Sequence, residues 1–436
     1  MKLKRIAASI LAFTMSTTLF GCELVSVNKE KDNAQVIVSI GDKTYTKEVV
    51  GGMAVSYLNM YGIDDVNSSA YDEFRISIAN DFAKEKAFNY YAVANGYKDK
   101  LTQEDYTEID EAYAKAQTRY DTELYEEVKK ELGYTGEEGA PEFNEHAQAK
   151  VNKQVQEKQK EYLFSLGVTK LEDYKTELIE EKAGELYKTH LEGTVVIGEE
   201  EIQKEYNTRM ADQKSNFDSK PKSFMEANDN GEVIVYNPAG FRRVKNLLIK
   251  IDENSSAKIK ALEDEIASLS AGENKTNKQN ELAAVKKAAY DAIAAKANEA
   301  LNKAKAGESF DALIEKYGED EGATTNPQGY LMHADVTDQY VSNFQSAGMA
   351  LEKVGDVSGL VETEFGYHIL MYASDVSFGE IPLSNVKEDL LLGLTAAAKS
   401  KTVDEKTTEI VDKYKNEGVL KVYADRMALA KIPGKK

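Results

Sequence analysis

Residues 49–216 constrain the fold more than any other stretch. Through them apolar side chains return at three- and four-residue steps, as in "YDEFRISIANDFAKEKAFNYYAVANGY", which stops at Gly96. That period marks amphipathic helix, and glycine is a common stop. Further helical stretches are expected near 102–132, 143–166 and 169–192, with breaks at "LGYTGEEGAPEF" and "SLGVTK". "VVIGEEEIQKEYNTRM" opens another helix, its acids in the first turn where the helix dipole favours them. A run of this kind argues against a two-lobed α/β solute receptor, which needs strands and helices in alternation. Directly before it, "VIVSIGDKTYTKE" alternates around a Gly-Asp turn as a short hairpin. A helical domain with an N-terminal hairpin is therefore expected over 36–220.

The punctuation then changes. Pro221, Pro238 and Gly240 bracket a turn-rich stretch, expected to be a linker over 221–240. A strand (241–251), helices, a Gly/Pro/Asn loop, a helix near 339–352 and the strand holding His368 follow. This β-α-α-β order implies a small α+β domain over 241–376. Within it, Ile259, Leu262, Ile266 and Leu269, then Leu282 and Val285, predict an inserted antiparallel helical hairpin (255–285), a spacer or a partner-binding arm. Helices over 380–430 are expected to return to the helical domain. The fold class is mainly α with one small α+β domain.

The first residues read as an export signal over 1–21: basic "MKLKR", a short apolar core, then Gly-Cys. "LFGC" resembles the lipobox of bacterial lipoproteins, with Phe20 where a small residue is usual. Cys22 is the one cysteine of the chain, so no disulfide framework exists, and lipid attachment at its sulfur is expected. Polar residues 22–35 would then tether the protein to the outer leaflet of a cell membrane, on its extracytoplasmic face. The net charge of −20 repels phosphate backbones and excludes nucleic acid as a partner.

Two strands each carry one polar residue among apolar neighbours. In "VKNLLIKI", Val244, Asn246 and Leu248 share a face; in "YHILMY", His368, Leu370 and Tyr372 do. Buried polar groups need partners, so adjacent strands would let Asn246 and His368 satisfy each other. The four histidines, at 146, 190, 333 and 368, form no spacing suited to a metal. Neither Gly-x-Ser-x-Gly nor His-Glu-x-x-His occurs. No metal or cofactor is expected.

"GESFDALIEKYGED", "NPQGYL" and "NFQSAGMALEKVGDVSGLVETEFGYHIL" resemble the parvulin family of peptidyl-prolyl isomerases, over roughly 241–376. The resemblance implies that His368 is the second family histidine, and that Asn246 stands at the first. Asp320 takes the acid position at the loop edge, and Thr363 the hydroxyl beside the histidines. Phe344, Leu331, Tyr340 and Met349 are implied as the proline-binding pocket. Three further departures are Tyr330 for the loop's acid, Gly318 for Ser and Tyr340 for a pocket methionine.

"IVSIGDKTYTKEVV" and "GVTKLEDYKTELIEEKAGELYKTHLEGTVVIGEEEIQKEYNTRM" are similar to the helical chaperone domain of PrsA/SurA-type extracytoplasmic foldases. That resemblance implies a membrane-anchored foldase, which binds unfolded exported chains and isomerises their X-Pro bonds. The alternative is a holdase whose parvulin domain is weak or inactive, and a homodimer stays open.

Overall fold

The structure is a computed structural model and describes residues 29–63, 68–134 and 143–428. The expected signal segment, Cys22 and the first part of the expected tether lie outside the described residues. The rest of that tether is not simple leash. Lys29–Asn33 is a helical turn, and Asp32 pairs with Lys47 Nζ at 2.9 Å. The chain divides into two compact units: Val196–Ala397, and the residues before and after it. Each is mainly helical with small antiparallel sheets. Among the described residues no helix is long and apolar enough to cross a membrane.

In the first unit β1 (Val36–Ile40) pairs with β2 (Lys43–Thr46) and with the strand Leu420–Val422. On this sheet pack α1 (Lys47–Met60) and α2 (Asp72–Ala94); α3 (Gln103–Thr118), α4 (Glu145–Ser165) and α5 (Leu171–Gly193) complete the helical layer, α4 against α1, α5 against α2 and α3 against α5. Local chemistry fixes their starts. Thr102 and Asp105 close a reciprocal capping box on α3, and Asn144 Oδ1 accepts the first N–H groups of α4. The core joins Ile37, Ile40, Phe82, Phe88 and Tyr187 to Ile410, Tyr414 and Leu420. Helices α2 and α5 approach closely at Gly184, where an added Cβ would stand 2.0 Å from Asn89 Oδ1.

The second unit begins well before the expected boundary. The stretch read as a linker is structured: α6 (Glu199–Ser219) is followed by α7 (Pro221–Asp229), and Tyr236–Asn237 pairs with Gly379–Glu380. Pro221 opens α7 rather than breaking the chain, because an N–H at the first helical position has no partner within the helix and proline there forfeits no hydrogen bond. Phe217, Phe224 and Met225 then pack with Phe241 in one core. The C-terminal expectation is also corrected. Val386 and Leu390 belong to the core of this unit, beside Ile202 and Val235, and only residues beyond Ala397 belong to the first unit.

A four-stranded antiparallel sheet organises the second unit, in the order β4 (Tyr330–Met332), β3 (Arg242–Lys250), β6 (Gly366–Asp375), β5 (Val361–Thr363). Both faces are covered, so the central strands are apolar on both sides. Leu247, Ile249 and Ile369 face Ala297, Leu301 and Leu313, while Val244, Leu370 and Tyr372 face Phe344 and Met332. The covering helices include α9 (Glu273–Lys305), α10 (Phe310–Tyr317) and α11 (Ser342–Met349). Between β3 and α9, α8 (Glu253–Ser268) folds back on the first half of α9. Ile259, Ala289, Leu282 and Val285 lie in that seam, with Lys286–Glu263 and Lys278–Glu265 ion pairs along it.

Candidate active site

The register of the two central strands builds the site. Asn246 lies opposite Leu370, and Leu248 opposite His368, so Asn246 and His368 share a face two positions apart. Both are buried, as is Thr363 on the neighbouring β5. His368 Nδ1 lies 3.0 Å from Asn246 Oδ1, and His368 Nε2 lies 2.7 Å from Thr363 Oγ1. Asn246 Nδ2 donates to Asp320 Oδ2 at 2.7 Å. The same carboxylate accepts the Tyr330 hydroxyl at 2.7 Å and the Gly322 N–H at 3.0 Å.

Donor counting fixes the protons. Asp320 only accepts when ionised, so the Asn246 amide must turn its NH₂ to it and its oxygen to the imidazole. Nδ1 of His368 therefore carries the hydrogen, and Nε2 accepts from the Thr363 hydroxyl. Thr363 Oγ1 in turn accepts the Phe365 N–H at 3.2 Å. The result is a neutral imidazole with both nitrogens bonded. Burial pushes its pKa down to about 4, although the Asp320 charge pulls the other way.

An aromatic wall stands over this chain. The Phe344 and His368 rings meet nearly edge to face, 5.1 Å between centroids. Tyr330 and Tyr340 pack on Phe344 at 5.6 and 5.7 Å. Helix α11, which carries Phe344, is fixed at its end by Arg242, whose guanidinium donates to the carbonyls of Met349 and Leu351. Met349 itself is partly buried in the same cluster. A cavity of about 280 Å³ opens beside Asn246 and Tyr330, bounded also by Ile314, Asn326 and Pro327.

Seven of the expected residues thus lie together: His368, Asn246, Asp320, Thr363, Phe344, Tyr340 and Met349. Leu331 meets them only through Tyr340, whose hydroxyl donates to its carbonyl at 3.0 Å, while its side chain turns away from His368. It pairs across from Arg243 and packs with Phe224, Phe241 and Val336, on the sheet face opposite Tyr330 and Met332. The phase of that strand is set at Gly329, whose φ is +101° and whose added Cβ would stand 2.8 Å from the Val244 carbonyl carbon. Cys22 lies outside the described residues. Sequence reasoning noted Tyr330 as a departure but missed it as the partner of Asp320. It also missed Tyr290 on α9, whose hydroxyl donates to the Thr363 carbonyl.

Residues 274–374 match the family model of the PPIC-type PPIase domain. The match begins within α9, so the strand bearing Asn246 lies upstream of it, across α8. Foldase protein PrsA 1 of Listeria monocytogenes is 29% identical over 132 residues, 28% of this chain and 44% of that protein. Its Listeria innocua counterpart is 28% identical over the same length and the same shares. The chain thus spans less than half the length of these relatives. Among solved structures, PrsA of Bacillus subtilis is 14% identical, with 93% of this chain and 96% of that one covered, at a TM-score of 0.22. A structure of SurA-like chaperones from Campylobacter jejuni gives 17%, 67%, 93% and 0.23. The chain therefore carries a PPIC-type PPIase domain and is homologous, over part of its length, to the PrsA foldases.

Proposed function

We propose that this protein is an extracytoplasmic foldase, anchored through lipidated Cys22, that binds unfolded exported chains and isomerises their X-Pro bonds. The observation that carries the reading is the bonded chain Asp320–Asn246–His368–Thr363 under Phe344, in which every residue but Asn246 falls within the segment 274–374 matched by a PPIC-type domain. The chemistry asks little of such a site. Rotation about an X-Pro bond faces a barrier of about 18–20 kcal/mol and takes tens of seconds unaided. No bond breaks and no net proton moves. Catalysis needs an apolar seat for the pyrrolidine ring and fixed dipoles that favour the twisted amide over either planar form. Phe344, Tyr340 and Met349 are the proposed seat. A neutral His368, held by Thr363 on one side and Asn246 on the other, supplies dipoles that do not reorganise during rotation.

The second reading is a holdase whose site binds without turnover, and Asn246 in place of a histidine favours it. The two separate in a protease-coupled assay on a short X-Pro peptide, with aggregation of an unfolded client followed in parallel. Faster isomerisation with the parent protein supports the foldase. Suppressed aggregation with an unchanged isomerisation rate supports the holdase. Asn246→His sharpens the comparison: a large gain shows a competent but detuned site, while equal rates show that the amide serves in the histidine's place. Anchoring is tested separately, since Cys22→Ser should move the protein from the membrane fraction to the medium.

A further inference from the structure

Thr363 is shared by two environments. Its hydroxyl bonds His368, yet the residue also lines a separate cleft of about 640 Å³. Helix α9 forms one wall of that cleft with Ala283, Lys287 and Tyr290, spaced to share a helical face. Asn343 at the start of α11, with Tyr367 on β6, lies opposite. The Tyr290 and Tyr367 rings sit 5.1 Å apart, and the Tyr290 hydroxyl donates to the Thr363 backbone carbonyl.

We propose that this cleft is a subsite for the residues flanking the X-Pro bond of an extended client chain. The inference rests on the isomerase reading and names where the rest of the substrate goes. Continuity is its first support, because Val341 and Asn343 of the cleft adjoin Tyr340 and Phe344 of the proposed proline seat along the chain. Size is the second, since the volume falls within that of ligand sites generally. Charge is the third. Lys286 and Lys287 are engaged by Glu263 and Asp291, and Glu362 and Glu364 line the same space, which disfavours a phosphate or acidic ligand. What remains is two tyrosine rings for an apolar side chain, with amide and hydroxyl groups around them. Recognition is through side chains. β5 is the edge of the sheet, but its Glu362 and Thr363 carbonyls are already taken by Asn343 and Tyr290, so the peptide does not add as a strand.

The test compares kcat/KM for a four-residue and a ten-residue X-Pro peptide of the same core sequence, using the full chain. Ala283→Trp fills the cleft from an exposed helix position. Ala284→Trp puts the same bulk on the neighbouring exposed position, which does not line it. The parent should favour the long peptide, and Ala283→Trp should reduce that long-to-short ratio about five- to ten-fold, with Ala284→Trp keeping it. An unchanged ratio in Ala283→Trp, or an equal loss in both variants, overturns the subsite. If the parent isomerises neither peptide, the isomerase reading fails, and fluorescence anisotropy of the labelled long peptide decides the cleft. Weaker binding by Ala283→Trp alone supports it, and equal binding by all three proteins sinks it.

Discussion

Asn246 accepts from His368 Nδ1 at 3.0 Å with its oxygen and donates to Asp320 at 2.7 Å with its nitrogen. One buried amide thus sets the tautomer of the imidazole and keeps a carboxylate bonded. Asn246→Asp tests this, because it exchanges the donor for an acceptor at nearly constant shape. Two carboxylates then meet at hydrogen-bond distance, and one must bind a proton. Stability at pH 7.5 should fall by about 3 kcal/mol in urea unfolding. The deficit should shrink at pH 5, where that proton costs less. A deficit that does not vary with pH would count against the assigned amide orientation.

His368 predicts a pH dependence. Its folded pKa lies near 4, below the ordinary 6.5, because burial opposes the charged ring. A depressed pKa means that the unfolded chain binds the proton more readily. The stability contribution is therefore complete above about pH 6.5 and is lost as pH falls toward 4. The shift corresponds to about 3 kcal/mol. His368→Gln removes the titration, so the stability difference between parent and variant should change by that order between pH 7 and pH 4. For the same reason, isomerisation should stay flat from pH 8 to pH 5 so far as His368 governs it. A midpoint near 6.5 in the rate profile would show that the ring is not held neutral.

How much of this was legible depends on how local each signal is. His368 and Asn246 stood out because each is the lone polar residue in an apolar strand, and both face the same way once the strands pair. Leu331 misled because a three-residue strand shows no phase of its own. Only pairing of Arg243 with Leu331 and of Val244 with Tyr330 turns one side chain away and the other in. Residues 221–240 misled for another reason. Proline and glycine mark a change of direction, but Pro221 makes that change by starting a helix. Tyr290 could not be read at all, since a tyrosine on a half-exposed helix face carries no sign of the carbonyl it meets 73 residues away.

Tyr330 separates packing from hydrogen bonding at the site. Tyr330→Phe keeps the ring against Phe344 and Tyr340 but removes the donor to Asp320 Oδ2. The carboxylate retains Asn246 and Gly322, so the loss should be near 1 kcal/mol rather than the cost of an orphaned charge. Thermal unfolding should drop by a few degrees, and kcat/KM should fall only a few-fold. A loss as large as that of Asp320→Ala would mean that Tyr330 takes part in the reaction rather than holding its acid.

Gly184 gives a test of sign in the first unit. Gly to Ala inside a helix ordinarily stabilises by about 0.5–1 kcal/mol, by lowering the entropy of the unfolded chain. At Gly184 the added Cβ would stand 2.0 Å from Asn89 Oδ1 and 2.9 Å from its Cγ, and Asn89 is itself buried on α2. Asn89 must leave its present rotamer within a buried seam, or α2 and α5 must part. Gly184→Ala should destabilise by about 1–3 kcal/mol, as overpacked cores do. Gly193, with nothing within 4 Å of an added Cβ, is the control on the same helix. If Gly184→Ala melts at or above the parent temperature, the two helices are not in the close contact described.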